Sequence, residues 1–434
     1  MGEVIMTKAQ RQRDRKYKIW LFLAAYSAFI IVKFIQDLSQ FSTWGNNDGA
    51  TWPARLSPVL TVVLWCVCFV ISITISRRKF FQSKYVKFLF AGFYAWILWG
   101  AFTNFAGLSF AGGWRGYREC IVIAVFTHTL YMSVKIIKVY DIRRQVMGIT
   151  VLILGIMILY AFIAYFNGFT FVSSISNLFQ KHGRYRYAYG FRHVNTAGFL
   201  STMFIIYTMI YRTISQEDKI MRKTPTGGGG GIFTVLFPAA LLILVSTASR
   251  TSISCLVLFW LVYSVMNHYS GTKMYIRAML ITLALFFIFL VIYIIDWQGL
   301  FDYFWDSRGV NYAQALPFLT DRKLWLAGVG FLKRGEIDVF INTGVMDSYY
   351  LAVLLQTGII GCIILFGTVF IFAFLYFRNT RHMTKLHKLT GGIIALILYH
   401  GLLEGGTFFG HGPMDLLNWI LFITCMNEKV SMGK

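Results

Sequence analysis

The densest chemistry in the chain lies between Arg184 and Asn195, RYRYAYGFRHVN, where Arg184, Arg186 and Arg192 alternate with Tyr185, Tyr187, Tyr189 and Phe191. Guanidinium forks match the oxygen geometry of phosphate, and aromatic rings suit sugar faces and the membrane interface. The apolar run beginning near Asn195 reads as a helix. A helix starting there offers unpaired backbone N–H groups and its positive dipole end to an anion, and Asn195 is suited to the N-cap. Arg192 stands nearest that start. The same residues also fit an aromatic belt whose arginines bind lipid headgroups. Arg250 is the second candidate, isolated within the small polar run from Ser246 to Ser252 between two apolar stretches. An arginine near mid-bilayer costs about 2.5–3.5 kcal/mol even on lenient insertion scales. Hydroxyls satisfy loose backbone groups where two helices reverse inside the bilayer. Arg250 would then face the bundle and a ligand, the alternative being that it snorkels to the interface.

Carboxylates come later in the chain. Asp347 precedes Ser348, Tyr349 and Tyr350 where an apolar run begins, a place that suits a proton acceptor for a hydroxyl or an N-cap; the two roles are compatible. Glu404 is an ionisable residue on an otherwise apolar segment, with His400, His411 and Asp415 near it in sequence. His128 reads as a satisfied core histidine. Glu336 and Asp338 form only a weak metal-ligand pattern. The six cysteines have no zinc spacing, and no P-loop, dinucleotide or hydrolase motif is present. The expectation is no metal and no cofactor.

The elements that must position these residues are membrane spans. The 434 residues are 57% hydrophobic and 14% charged, against about 25% charged in a soluble domain. Apolar runs predict twelve helical spans at about 18–36, 56–75, 87–106, 119–138, 147–166, 194–214, 232–248, 251–268, 277–296, 348–377, 390–405 and 412–427. With that count the basic loops at about 77–87, 135–144, 212–223, 273–277 and 378–388 all fall on the side of the N-terminus, which retention of Lys and Arg by the cytoplasmic face explains. The net charge of +23 therefore needs no nucleic acid. Both termini are expected to be cytoplasmic, and the first apolar run is long enough to be an anchor rather than a cleaved leader. Residues 1–434 read as one integral membrane domain with a basic and aromatic outer loop at 167–193, a cytoplasmic glycine linker at 224–231 and a large outer loop at 297–347. The last of these carries Arg322 and Arg334.

Four pieces, in this order, resemble the bacterial O-antigen polymerase and ligase superfamily: Gly190 to Gly198 opening a span, Ser249-Arg250 after an apolar helix, Gly328 to Gly330 in the large loop, and Asp347 to Leu351 with Gly358 to Gly361. The resemblance implies an all-α, GT-C-like polytopic glycosyltransferase acting outside the plasma membrane on undecaprenyl-diphosphate-linked oligosaccharide. It implies Arg192 and Arg250 as diphosphate ligands, helped by Arg184, Arg186, Arg322 and Arg334. Asp347, or failing it Glu404 or His193, would activate the acceptor hydroxyl. His193, Tyr187, Tyr189 and Tyr349 would meet sugar. Membrane lipids, a chain-length regulator and a flippase are the expected partners. Ligases of this kind often have His-Asn before the re-entering helix, where this chain has Asp347-Ser348, and Pro where it has Val194. That difference favours a repeat-unit polymerase over a ligase; a lipid-linked oligosaccharide flippase is the alternative from another class.

Overall fold

The structure, a computed structural model, describes residues 8–39, 51–75, 83–105, 114–167, 171–173, 186–222, 233–268, 300–332, 348–378, 383–404 and 412–432. Among the described residues 87% are helical and none lies in a strand, so the chain is an all-helical, multi-pass membrane protein. The helices are α1 (Lys8–Ile35), α2 (Trp52–Thr74), α3 (Lys84–Phe105), α4 (Trp114–Tyr140), α5 (Arg143–Tyr165), α6 (Val194–Arg222), α7 (Phe237–Ser246), α8 (Arg250–His268), α9 (Leu300–Asp321), α10 (Tyr349–Arg378), α11 (Lys385–Leu403) and α12 (Pro413–Met432). Nine of these are long and apolar enough to cross a membrane.

Those nine coincide with nine of the predicted spans. The predicted span at 277–296 lies outside the described residues, as do the linker at 224–231 and parts of both outer loops. The segment expected to cross at 412–427 is helical, as part of α12, but is not among the nine. That expected at 232–248 holds the 10-residue α7. Ten residues rise about 15 Å, roughly half the hydrocarbon thickness.

The chain divides into two compact units. The first holds α1, α2, α4 from His128 onward, α5, α6, α7 and the first turn of α8. In it α1 lies against α2 and α5, and α6 against α5 and α7. Apolar side chains such as Phe22, Phe29, Leu154 and Phe204 fill the contacts. Several polar side chains on these helices pair with one another, as desolvation favours. The Tyr26 and Thr150 hydroxyls lie 3.1 Å apart. The Trp65 indole N–H donates to His128 Nδ1 at 3.3 Å, which satisfies His128 as expected, though the ring is half-buried rather than in the core.

The second unit holds α3, α4 up to Thr127, the rest of α8, and α9 to α12. Its main pair is α3 with α10, and α10 is not the single rod its apolar run predicts. The helix breaks at Gly358, whose φ of 65° and ψ of −171° no residue with a side chain readily adopts. Residues Trp325 to Gly330 seat in the break. Val329 N–H donates to Leu355 O at 2.7 Å, Gly330 N–H to Gln356 O at 2.8 Å, and Ile359 N–H to Trp325 O at 2.8 Å. The Trp99 indole takes up Thr357 O at 2.9 Å. Unwound backbone at membrane depth is tolerated only with its polar groups paired, and here the freed groups on both sides of the break are paired by protein. Leu319, Leu324, Val329, Leu351 and Leu355 form the apolar core behind this joint.

Candidate functional site

In the first unit the starts of α6 and α8 lie side by side. Three local features set the second start. Ala248 turns the chain at a φ of 47°. The Thr247 hydroxyl accepts the Ser249 N–H at 3.3 Å. The Ser249 hydroxyl then caps α8 by accepting the Ser252 N–H at 3.4 Å. Ser246 to Ser249, Thr251 and Ser252 are all buried. The hydroxyls thus do what the sequence suggested, satisfying backbone where the chain reverses inside protein. Arg250 opens α8 half-buried, with its terminal Nη1 enclosed.

The first start departs from expectation. His193, not Asn195, caps α6: its Nδ1 accepts the Asn195 N–H at 3.1 Å, which leaves any ring proton of the neutral imidazole on Nε2. The Asn195 side chain instead joins the two starts. Its Oδ1 accepts from Arg186 Nη2 at 2.6 Å and from the Ser249 hydroxyl at 3.1 Å. Arg186 Nε also reaches Thr247 O at 3.4 Å. The junction is close because residue 198 is glycine: a Cβ there would stand 2.8 Å from the Ser252 hydroxyl oxygen. Asn195→Ala removes the shared acceptor from a part-buried guanidinium and a buried serine. It is expected to cost about 2 kcal/mol, read as a lowered thermal midpoint. An unchanged midpoint would show that the junction contributes nothing.

Arg192 lies on the other flank. An isolated antiparallel bridge joins Leu38 to Phe191, with Arg192 N–H donating to Asp37 O at 2.7 Å and Ser39 N–H to Gly190 O at 2.8 Å. The Asp37 carboxylate meets Arg192 Nε at 3.2 Å, with side-chain exposures of 17% for Asp37 and 52% for Arg192. Burial pushes the Asp37 carboxyl above its ordinary range, against the opposing pull of Arg192 and Lys33. The folded chain therefore holds that proton more tightly than the unfolded chain. Its contribution to stability is present at acid pH and lost as the pH rises from the ordinary carboxylate value through the raised one. Asp37→Asn is expected to gain in thermal midpoint relative to wild type between about pH 4 and neutrality. A gap that shrinks over that range would contradict the direction.

Arg186, Arg192, His193 and Arg250 are thus gathered in one unit. Arg186 acts as a brace between the helix starts, while Arg192 and Arg250 flank them. Tyr187 is half-buried and Tyr189 is buried, with ring centroids 6.4 Å apart; Tyr187 presents the more accessible ring. In the second unit Arg322 is exposed at the end of α9, Tyr349 is buried in the first turn of α10, and Glu404 is half-buried at the end of α11. Ser348 caps α10, its hydroxyl accepting the Leu351 N–H at 3.4 Å. Asp347, Arg184 and Arg334 lie outside the described residues. Sequence reasoning missed Asp37, whose partner is 155 positions away. It also missed Ser249 as a cap, which the Ser-x-x-Ser spacing to Ser252 could have signalled. Among the described residues no group of three metal-ligating side chains occurs.

Comparison with protein-family models, with curated proteins and with solved structures returned no match. What the fold and the site define is a class: a polytopic helical membrane protein that sets arginines around two adjoining helix starts.

Proposed function

We propose that the protein polymerises undecaprenyl-diphosphate-linked oligosaccharide repeat units into a surface polysaccharide on the outer face of the plasma membrane, as a metal-independent glycosyltransferase. The reading takes the fold to be GT-C-like with about twelve spans and both termini cytoplasmic. The observation that carries it is the junction of the α6 and α8 starts, where Arg192 and Arg250 stand beside two positive dipole ends. Phosphate is the anion that guanidinium forks and helix starts both favour.

In the reaction the acceptor hydroxyl oxygen attacks the anomeric carbon of the donor sugar. The bond from that carbon to the diphosphate oxygen breaks, and the diphosphate leaves with the electron pair. Its charge must be met in a water-poor place, which is the work of Arg192 and Arg250. A carboxylate takes the hydroxyl proton, and not His193, whose Nδ1 lone pair already accepts the Asn195 N–H and whose Nε2 carries the ring proton. Arg186 holds the two helix starts in register. Tyr187 is the proposed sugar-facing ring, because Tyr189 and Tyr349, expected alongside it, are buried.

The test is to give purified protein lipid-linked repeat units already on the product side, with no nucleotide sugar, metal or second acceptor. A polymerase lengthens them. A flippase moves them unchanged, and a ligase needs its other acceptor. Absence of any lengthened product overturns the proposal.

A further inference from the structure

We propose that Asp37 is a positioning residue for Arg192. Its carboxylate holds the Nε side of the guanidinium and leaves the two terminal nitrogens to the phosphate of the lipid-linked substrate. The inference rests on the diphosphate reading above. The backbone bonds between Asp37–Ser39 and Gly190–Arg192 already fasten the loop to the end of α1, and they survive any change of side chain. The 3.2 Å contact from the carboxylate to Nε therefore adds orientation rather than attachment. Arg192 is 52% exposed, and a long side chain with that freedom samples many rotamers unless something holds it. Among the described residues Asp37 is the one carboxylate that does so.

Holding by Nε has a geometric consequence. A guanidinium carries five N–H donors in a planar fork; one is on Nε and four are on the terminal nitrogens. With Nε engaged, the far edge stays open for two parallel bonds to phosphate oxygens, the bidentate arrangement that gives both strength and direction. Asp37 does not turn the corner acidic. Lys33 lies one turn earlier on α1 and acts on the same carboxylate, so Lys33, Asp37 and Arg192 together still carry a net positive charge. Ordering the side chain before the ligand arrives removes part of the entropy cost of binding.

The experiment measures undecaprenyl diphosphate binding to the full-length protein in nanodiscs by native mass spectrometry, for wild type, Asp37→Ala, Asp37→Asn, Asp37→Glu, Arg192→Ala and the double variant Asp37→Ala/Arg192→Ala. Asp37→Ala is expected to weaken binding on the order of tenfold, as loss of a supporting partner commonly does. Asp37→Glu, which restores the charge, should return to within about threefold of wild type. A purely structural residue would not be rescued this way. The double variant should bind no more weakly than Arg192→Ala, because the two act as one unit. Thermal melts accompany each variant, and Asp37→Asn, nearly unchanged in shape, replaces Asp37→Ala if the latter does not fold. Binding unchanged on loss of Asp37 while Arg192→Ala abolishes it, or additive effects in the double variant, would overturn the inference and leave the diphosphate reading standing. Wild-type binding by Arg192→Ala would overturn both.

Discussion

Gly358→Ala is expected to yield little or no folded protein. Its φ of 65° and ψ of −171° fall in a region open essentially to glycine alone, at a cost on the order of 1–3 kcal/mol for any other residue. A methyl group there would also overlap the backbone of Leu326 and Ala327, and overpacking of that kind costs about 1–3 kcal/mol more. Relief requires moving the Trp325–Gly330 segment away, which unpairs the amides of Val329, Gly330 and Ile359. Each buried donor left without a partner adds roughly 1–3 kcal/mol. The backbone strain with either the overlap or the lost bonds is a large share of the whole stability of a typical domain, about 5–15 kcal/mol. Gly367, in the same helix, has open space where its side chain would be. Gly367→Ala should therefore fold normally. Size-exclusion profiles and melting curves of the two variants make the comparison, and a Gly358→Ala protein that melts like wild type would contradict the broken-helix account.

The second large effect concerns turnover. Arg250→Ala and Arg192→Ala should each reduce chain lengthening by about 10²–10³-fold, the usual consequence of removing one group that meets charge developing in a transition state. Arg250 has the stronger claim: it is half-buried with one terminal nitrogen enclosed, so little bulk water stands ready to replace it. Arg192 is half-exposed and held by Asp37. Arg250→Lys and Arg192→Lys keep the charge and lose the fork, and should recover only part of the rate. The loss must appear with membrane insertion and thermal midpoint preserved; lengthening at the wild-type rate in both alanine variants would remove the assignment.

Much of this was open to reading from the sequence because bilayers impose coarse rules. Runs such as Val151 to Tyr165 or Ile359 to Phe377 declare helices by apolarity alone. Arg250 stood out because a lone arginine among small hydroxyl residues has few reasons to be there, and it opens α8 half-buried among buried hydroxyls. What stayed hidden depends on contacts made at long range. The stretch 348–377 reads as one span, and only its excess length and Gly358 hinted at a joint; nothing local says that Trp325 to Gly330 will fill it. The cap of α6 went to His193 rather than Asn195 because Asn195 has a competing pair of donors, Arg186 and Ser249, supplied from elsewhere in the chain. Asp37 lies two residues past α1 with no periodicity to mark it, and its pairing with Arg192 follows from the fold alone.

The most direct measurement is a structure of the protein in nanodiscs loaded with undecaprenyl diphosphate. The account predicts diphosphate density at the joined starts of α6 and α8, within hydrogen-bonding reach of both the Arg192 and the Arg250 guanidinium groups. Density for the diphosphate elsewhere, with those two side chains touching none of it, would contradict the central claim.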